Sequence, residues 1–134
     1  MESRARMNQT KRRILVVDDN LEGAEILSIM LEHFGNEVRI TSRGDEALDI
    51  ADTFQPHVVF LDLDMPRMSG YDVCRLLREK PGGGEILIAA LTGWEREEDR
   101  RRTREAGFDM HLVKPVGPDA MRQILEGLPP GRKT

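Results

Sequence analysis

Short apolar runs in this chain end on side chains that could do chemistry. Ile14-Leu15-Val16-Val17 stops at Asp18 and Asp19, and His57-Val58-Val59-Phe60-Leu61 stops at Asp62. Two later runs stop at Thr92 and at Lys114. Three carboxylates brought together would repel one another, and in water-poor surroundings at least one would keep its proton to higher pH. A divalent cation removes that conflict. Mg2+, or Mn2+ in its place, takes oxygen ligands in octahedral geometry and keeps several waters. No His or Cys cluster competes, so zinc is not indicated. Lys114 suits one oxygen of a phosphoryl group as a point charge, and the Thr92 hydroxyl can donate to another. Phosphoryl transfer calls mainly for positioning and charge neutralisation. A carboxylate can be its nucleophile, and Asp62, at the end of the central apolar run, is the one expected.

Each residue also has a purely structural reading. Asp18-Asp19-Asn20 could be a helix cap with acid near the dipole. Thr92-Gly93 could be a turn, Lys114 a surface lysine, and Asp62 the start of a turn. Taken singly these readings compete well. Their coincidence at four run ends in one register favours a site.

The elements that must position these groups alternate. Continuous apolar runs of this length fit parallel strands buried on both faces. Strands are expected over 14–17, 38–41, 57–61, 86–91 and 110–113. Helical spacing fills the gaps. Leu21, Ala24, Leu27, Leu31 and Phe34 define a first helix, with Asn20 as its cap and Gly35 as its stop. Further helices are expected over 43–54, over 70–79 behind the cap Ser69 with Val73, Leu76 and Leu77 inward, over 94–106, and over 118–128. Pro81-Gly82-Gly83-Gly84 reads as loop. Strand-helix alternation implies an α/β fold with a parallel sheet covered on both faces. Ligands bind such sheets at the carboxyl ends of the strands, where the strand order reverses.

Composition narrows the class. With 134 residues, 33% charged and 39% hydrophobic, the chain suits one soluble domain. The lone Cys74 excludes an internal disulfide and reads as a packed residue. A net charge of −4 argues against a dedicated nucleic-acid binder. Arg4, Arg6, Lys11, Arg12 and Arg13 near the start, with Arg132 and Lys133 at the end, read as solvated tails. The expected layout is a flexible tail over 1–12, one domain over 13–128, and a tail over 129–134. No apolar run approaches the ~20 residues of a membrane span, and no signal peptide is evident. No membrane partner is expected, and the setting is expected to be cytoplasmic.

Together, Ile14-Leu15-Val16-Val17-Asp18-Asp19, Phe60-Leu61-Asp62-Leu63-Asp64-Met65-Pro66-Arg67-Met68-Ser69-Gly70, Ala90-Leu91-Thr92-Gly93 and Val113-Lys114-Pro115 resemble the receiver (response-regulator) domain of two-component phosphorelays. The resemblance covers about 13–128. It implies a flavodoxin-like, doubly wound five-stranded sheet of order 2-1-3-4-5 with five helices, the order the general rule gives for this family's chemotaxis member. It further implies that Asp62 accepts a phosphoryl group from a phosphohistidine of a histidine kinase or histidine phosphotransfer domain. Asp19 would be the direct metal ligand, Asp18 a ligand acting more through water, and Asp64 a donor of its backbone carbonyl. Thr92 would be the switch hydroxyl and Lys114 the phosphate-pairing lysine, with a cis bond to Pro115. Such a domain is no enzyme in the ordinary sense. It catalyses only its own Mg-dependent phosphorylation and dephosphorylation.

One position departs from the usual pattern. His111 stands where the family's switch partner is usually an aromatic ring. Trp94, two residues after Thr92, is expected to hinder the water that hydrolyses the acyl phosphate. The charge-rich fourth helix, the fifth strand and the fifth helix form the expected face for a downstream protein target. The strings around Trp94 and His111 look like receivers of hybrid histidine kinases, and no output domain is expected after residue 128. Two other functions remain in play: a phosphorylation-independent interaction module on this fold, and a haloacid-dehalogenase-like phosphatase suggested by Asp62-Leu63-Asp64. The phosphatase order would put the Asp-x-Asp after the first strand, whereas here the acidic pair comes first.

Overall fold

The computed structural model describes residues 11–93 and 97–128. The elements run β1 (Arg13–Val17), α1 (Leu21–His33), β2 (Glu37–Thr41), α2 (Gly44–Phe54), β3 (Val58–Asp62), α3 (Gly70–Glu79), a single 3-10 turn (Gly83–Glu85), β4 (Leu87–Thr92), α4 (Glu97–Ala106), β5 (Met110–Val113) and α5 (Pro118–Glu126). The five strands form one parallel sheet of order β2-β1-β3-β4-β5. This is the expected flavodoxin-like fold, and the order reverses between β1 and β3.

Strand periodicity sorts the core into two halves, because successive side chains point to opposite sheet faces. Leu15, Val17, Val59, Leu61, Ile88 and Ala90 pack against α2, α3 and the start of the segment into β5. Ile14, Val16, Val58, Phe60, Ala89 and Leu91 pack against α1 and α5. Every residue of β3 is buried, so its last member, Asp62, is carried into the interior with it.

The helix ends follow their local chemistry. Asn20 accepts from the amide of Gly23 at 3.2 Å, and Ser69 accepts from that of Asp72 at 3.3 Å. Each satisfies an otherwise orphaned first-turn donor. Gly35, at φ 92°, ends α1 in the left-handed region that favours glycine. Arg78 of α3 spans two connections. Its guanidinium donates to the carbonyls of Gly83 at 2.8 Å and Gly107 at 2.9 Å and pairs with Asp109 at 2.7 Å.

Several side chains differ from expectation. Leu21 and Leu76 are exposed, since Ala24, Leu27 and Leu31 suffice to cover the sheet on one side, and Val73, Cys74 and Leu77 on the other. Arg12 and Arg13 are not solvated charges. Arg12 is buried and donates to the Leu128 carbonyl at 3.1 Å, while Arg13 donates to those of Phe54 at 2.9 Å and Gln55 at 3.0 Å. Both arginines donate to backbone carbonyls at or just past helix ends, Arg13 at the end of α2 and Arg12 two residues past α5. The Pro81 to Gly84 loop contains the 3-10 turn, and the last helix stops at Glu126.

Candidate functional site

The carboxyl edge of the sheet gathers the expected groups. β1 delivers Asp18 and Asp19, and β3 delivers Asp62. One carboxylate oxygen from each lies within 4.8 Å of the others. Asp18 and Asp62 are buried, whereas Asp19 is exposed. The capping reading accounts for Asn20 but not for this convergence. Asp18 does serve the turn, accepting from the Asn20 amide at 3.0 Å.

Lys114 enters from the end of β5. Its backbone N–H donates to the Thr92 carbonyl at 2.7 Å, which ties the lysine's segment to the end of β4. Its ammonium lies 2.9 Å from Asp18 and 3.4 Å from Asp62. The Lys114-Pro115 bond is cis, as expected. Thr92 is buried at the end of β4, one register step beyond Leu91, which pairs with Asp62. Asp64 is exposed, and its backbone N–H donates to the Asp62 carboxylate at 3.2 Å.

The electrostatics follow from this geometry. Burial, and next the charge of Asp18, push the Asp62 carboxyl up to about 7. Lys114 and the Asp64 amide pull it down, and a hydrogen bond with Asp19 adds to the rise. Burial pulls the Lys114 ammonium down, but its hydrogen bond to Asp18 and the charges of Asp62 and Asp18 outweigh that, and the net shift is upward. One lysine therefore does not neutralise the set. An acidic cluster of oxygen donors with charge to spare fits a hard divalent cation.

Sequence reasoning missed Gly70. A Cβ there would lie 2.3 Å from the Asp62 carbonyl oxygen and 2.9 Å from the Leu63 Cα. Its N–H donates to the Leu63 carbonyl at 3.1 Å. The start of α3 thus presses on the strand end that carries Asp62. A glycine directly after a helix cap, where it is costly without a packing reason, was the available signal. Cys74 is buried as expected, donates to the Ala106 carbonyl at 3.4 Å, and has its thiol pushed up to about 11 by burial. His111 projects on the α4 side of the sheet, where its Nδ1 lies 3.4 Å from the Thr103 hydroxyl. The role expected of Trp94 falls on residues 94–96, outside those described.

A cleft of about 320 Å3 opens beside the acidic cluster, bounded by Asp18, Asn20, Ile26, Met30, Lys114 and Pro115. A larger one, about 620 Å3, lies at the opposite edge of the sheet among Arg12, Arg13, His57 and Lys80 and holds none of the three carboxylates. Of the three carboxylates only Asp18 lines the smaller cleft, together with Lys114.

The response regulator receiver domain model matches residues 14–126, most of the chain. The chain belongs to the response regulator receiver family. Among relatives, this receiver is 36% identical over 113 residues to an uncharacterized 14.6 kDa protein of Leptolyngbya boryana, spanning 84% of the chain and 86% of that protein. It is 38% identical over 112 residues to the DNA-binding response regulator MtrA of Mycobacterium tuberculosis, spanning 84% of the chain. The match covers 48% of MtrA, about half its length. Among solved structures, the receiver domain of the sensor histidine kinase PA1611 of Pseudomonas aeruginosa superposes with a TM-score of 0.79 at 28% identity, covering 87% of this receiver and 95% of that chain. The charge-based expectation of no nucleic-acid partner finds no support in a relative named as DNA-binding. Among the described residues no helix is long and apolar enough to cross a membrane.

Proposed function

We propose that Asp62 accepts a phosphoryl group from the phosphohistidine of a histidine kinase or histidine phosphotransfer domain, and that the chain relays the signal from there. The observation that carries this reading is the placement of Lys114 between Asp18 and Asp62 at the carboxyl edge of the sheet, 2.9 and 3.4 Å away. A carboxylate oxygen of Asp62 attacks phosphorus, the bond from phosphorus to the donor imidazole breaks, and the imidazole leaves with the electron pair. Lys114 turns from Asp18 to a phosphoryl oxygen, and the Thr92 hydroxyl donates to another.

Asp18, Asp19 and Asp62, with the Asp64 backbone carbonyl, would hold Mg2+ or Mn2+. When bound, the ion supplies positive charge against the phosphoryl oxygens. The PA1611 receiver is described with a magnesium ion coordinated in its active site cleft, which supports the choice of metal. Thr92 and His111 carry the signal from β4 to β5, and α4, β5 and α5 present it to a downstream protein. Exposed Ile26 and Ile29 on α1, with Ile26 lining the smaller cleft beside Asp18 and Lys114, give a donor an apolar surface near the acidic edge. The setting this reading implies is the cytoplasm.

Incubation with acetyl phosphate and Mg2+, followed by intact-mass measurement, tests it. One phosphoryl group per chain is expected in the wild type and none in Asp62→Asn. Labelling that persists in Asp62→Asn, or no labelling of the wild type by acetyl phosphate or by phosphorylated donor domains, defeats the reading. The second result would leave the phosphorylation-independent module.

A further inference from the structure

His111 and Thr92 share one sheet face. In the β4–β5 register Ala90 faces His111 and Thr92 faces Val113. Met110 and Leu112 pack with the α1 and α5 core, so the residue between them is turned toward α4. Thr103, one of only two buried residues of α4, meets it there. Its Oγ1 lies 2.8 Å from the Arg100 carbonyl and 3.4 Å from His111 Nδ1. His111 Nε2 is buried and has no hydrogen-bond partner among the described residues.

A threonine hydroxyl has one proton and two lone pairs. The shorter contact places that proton on the Arg100 carbonyl, so Oγ1 turns a lone pair toward His111. Nδ1 must then carry the ring proton. The opposite neutral tautomer would set two lone pairs against each other and would bury an Nε2–H with no acceptor, which costs the full desolvation of that donor.

We propose that Thr103 is a positioning residue for the switch. Its hydroxyl holds His111 in the Nδ1–H tautomer and couples β5 to α4 by a hydrogen bond, in the place where an aromatic ring would couple them by packing alone. The switching role of His111 on which this builds belongs to the function proposed above.

Long-range 1H–15N correlation spectra of the 15N-labelled full chain read the tautomer directly, with His111→Phe assigning the signals among the three histidines. Wild type is expected to show a protonated Nδ1 and a bare Nε2. Thr103→Val, which keeps the shape and removes the hydroxyl, should lose that pattern and show Nε2–H. Thr103→Ser should retain it. A wild-type ring already protonated on Nε2, or a Thr103→Val ring unchanged from wild type, overturns the proposal, and the first result needs no variant to fold. Addition of beryllofluoride with Mg2+ tests the coupling. The His111 ring nitrogens should shift in the wild type, and the accompanying shift of α4 amides should fall at least about twofold in Thr103→Val. A response at the Asp62 amide with none at His111 overturns the positioning role. No response at Asp62 defeats the phosphoacceptor reading instead, and leaves the tautomer result to decide whether Thr103 orients the ring.

Discussion

The Lys114 ammonium lies closer to Asp18, at 2.9 Å, than to Asp62, at 3.4 Å. The lysine is thus engaged chiefly by a neighbour of the proposed acceptor. Pairing with a phosphoryl oxygen would exchange one charge-assisted hydrogen bond for another, so its energetic effect is a difference between two bonds rather than the worth of one.

Lys114→Ala should therefore act in two ways. It leaves buried Asp18 and Asp62 without their cation, which should lower the stability of the metal-free chain by about 1–3 kcal/mol. It should also slow phosphorylation by acetyl phosphate at least tenfold. Denaturant unfolding and mass-resolved labelling measure the two separately. Unchanged stability would show that the ion pair contributes nothing net.

Asp62→Asn should stabilise the metal-free chain more at pH 8 than at pH 5. The folded Asp62 carboxyl titrates at about 7, above its ordinary 3.8, so the folded chain keeps the proton over a wider range. Stability from this group is fully present below about 3.8 and is lost as pH rises through about 7. Asparagine stays neutral throughout. A gain of at least about 1 kcal/mol at the higher pH is expected, since a tenfold difference in proton affinity corresponds to about 1.4 kcal/mol. Equal gains at both pH values would contradict the assignment.

Mg2+ should raise the thermal midpoint, because it binds the folded cluster and not the dispersed carboxylates of the unfolded chain. At 100 times its Kd the gain is about 2.7 kcal/mol. Asp19→Asn removes an exposed member of the acidic cluster at little structural cost and should weaken the calorimetric Mg2+ affinity at least tenfold. Affinity retained in that variant would remove Asp19 from the ligand set.

Gly70→Ala should destabilise by about 2–3 kcal/mol, because its methyl would strike backbone that cannot swing aside, the Asp62 carbonyl at 2.3 Å and the Leu63 Cα at 2.9 Å. Acetyl phosphate labelling of whatever folds should also slow, since relief of the clash moves the strand end that carries Asp62. Wild-type unfolding and labelling would show that α3 tolerates a small retreat.

Much of the fold was legible because it rests on local patterns. Apolar runs such as Val58 to Leu61, short and rich in β-branched and aromatic residues, fit parallel strands buried on both sides, and Asn20, Gly35 and Ser69 mark helix ends by their own chemistry. The acidic pair, Asp62, Thr92 and Lys114 were legible because each ends an apolar run. What was not legible depends on who meets whom across the chain. Arg12 and Arg13 looked like tail charges because their carbonyl partners at Leu128, Phe54 and Gln55 are far along the sequence. Leu21 and Leu76 fit the helical spacing, yet only packing decides which of several apolar residues on a helix is left outside. The meeting of Thr103 with His111 has no signature in either residue's neighbours.

Arg78 gives the sheet a mechanical polarity. Its guanidinium clamps the backbone ahead of both β4 and β5, through Gly83 and Gly107, and grips Asp109 between them. These two strands are pinned at their beginnings, while their far ends carry Thr92 and Lys114. Any displacement started at the acidic edge is therefore a swing about a fixed root, and its amplitude grows toward the tips. Amide protons at the strand tips should exchange with deuterium before those at the root.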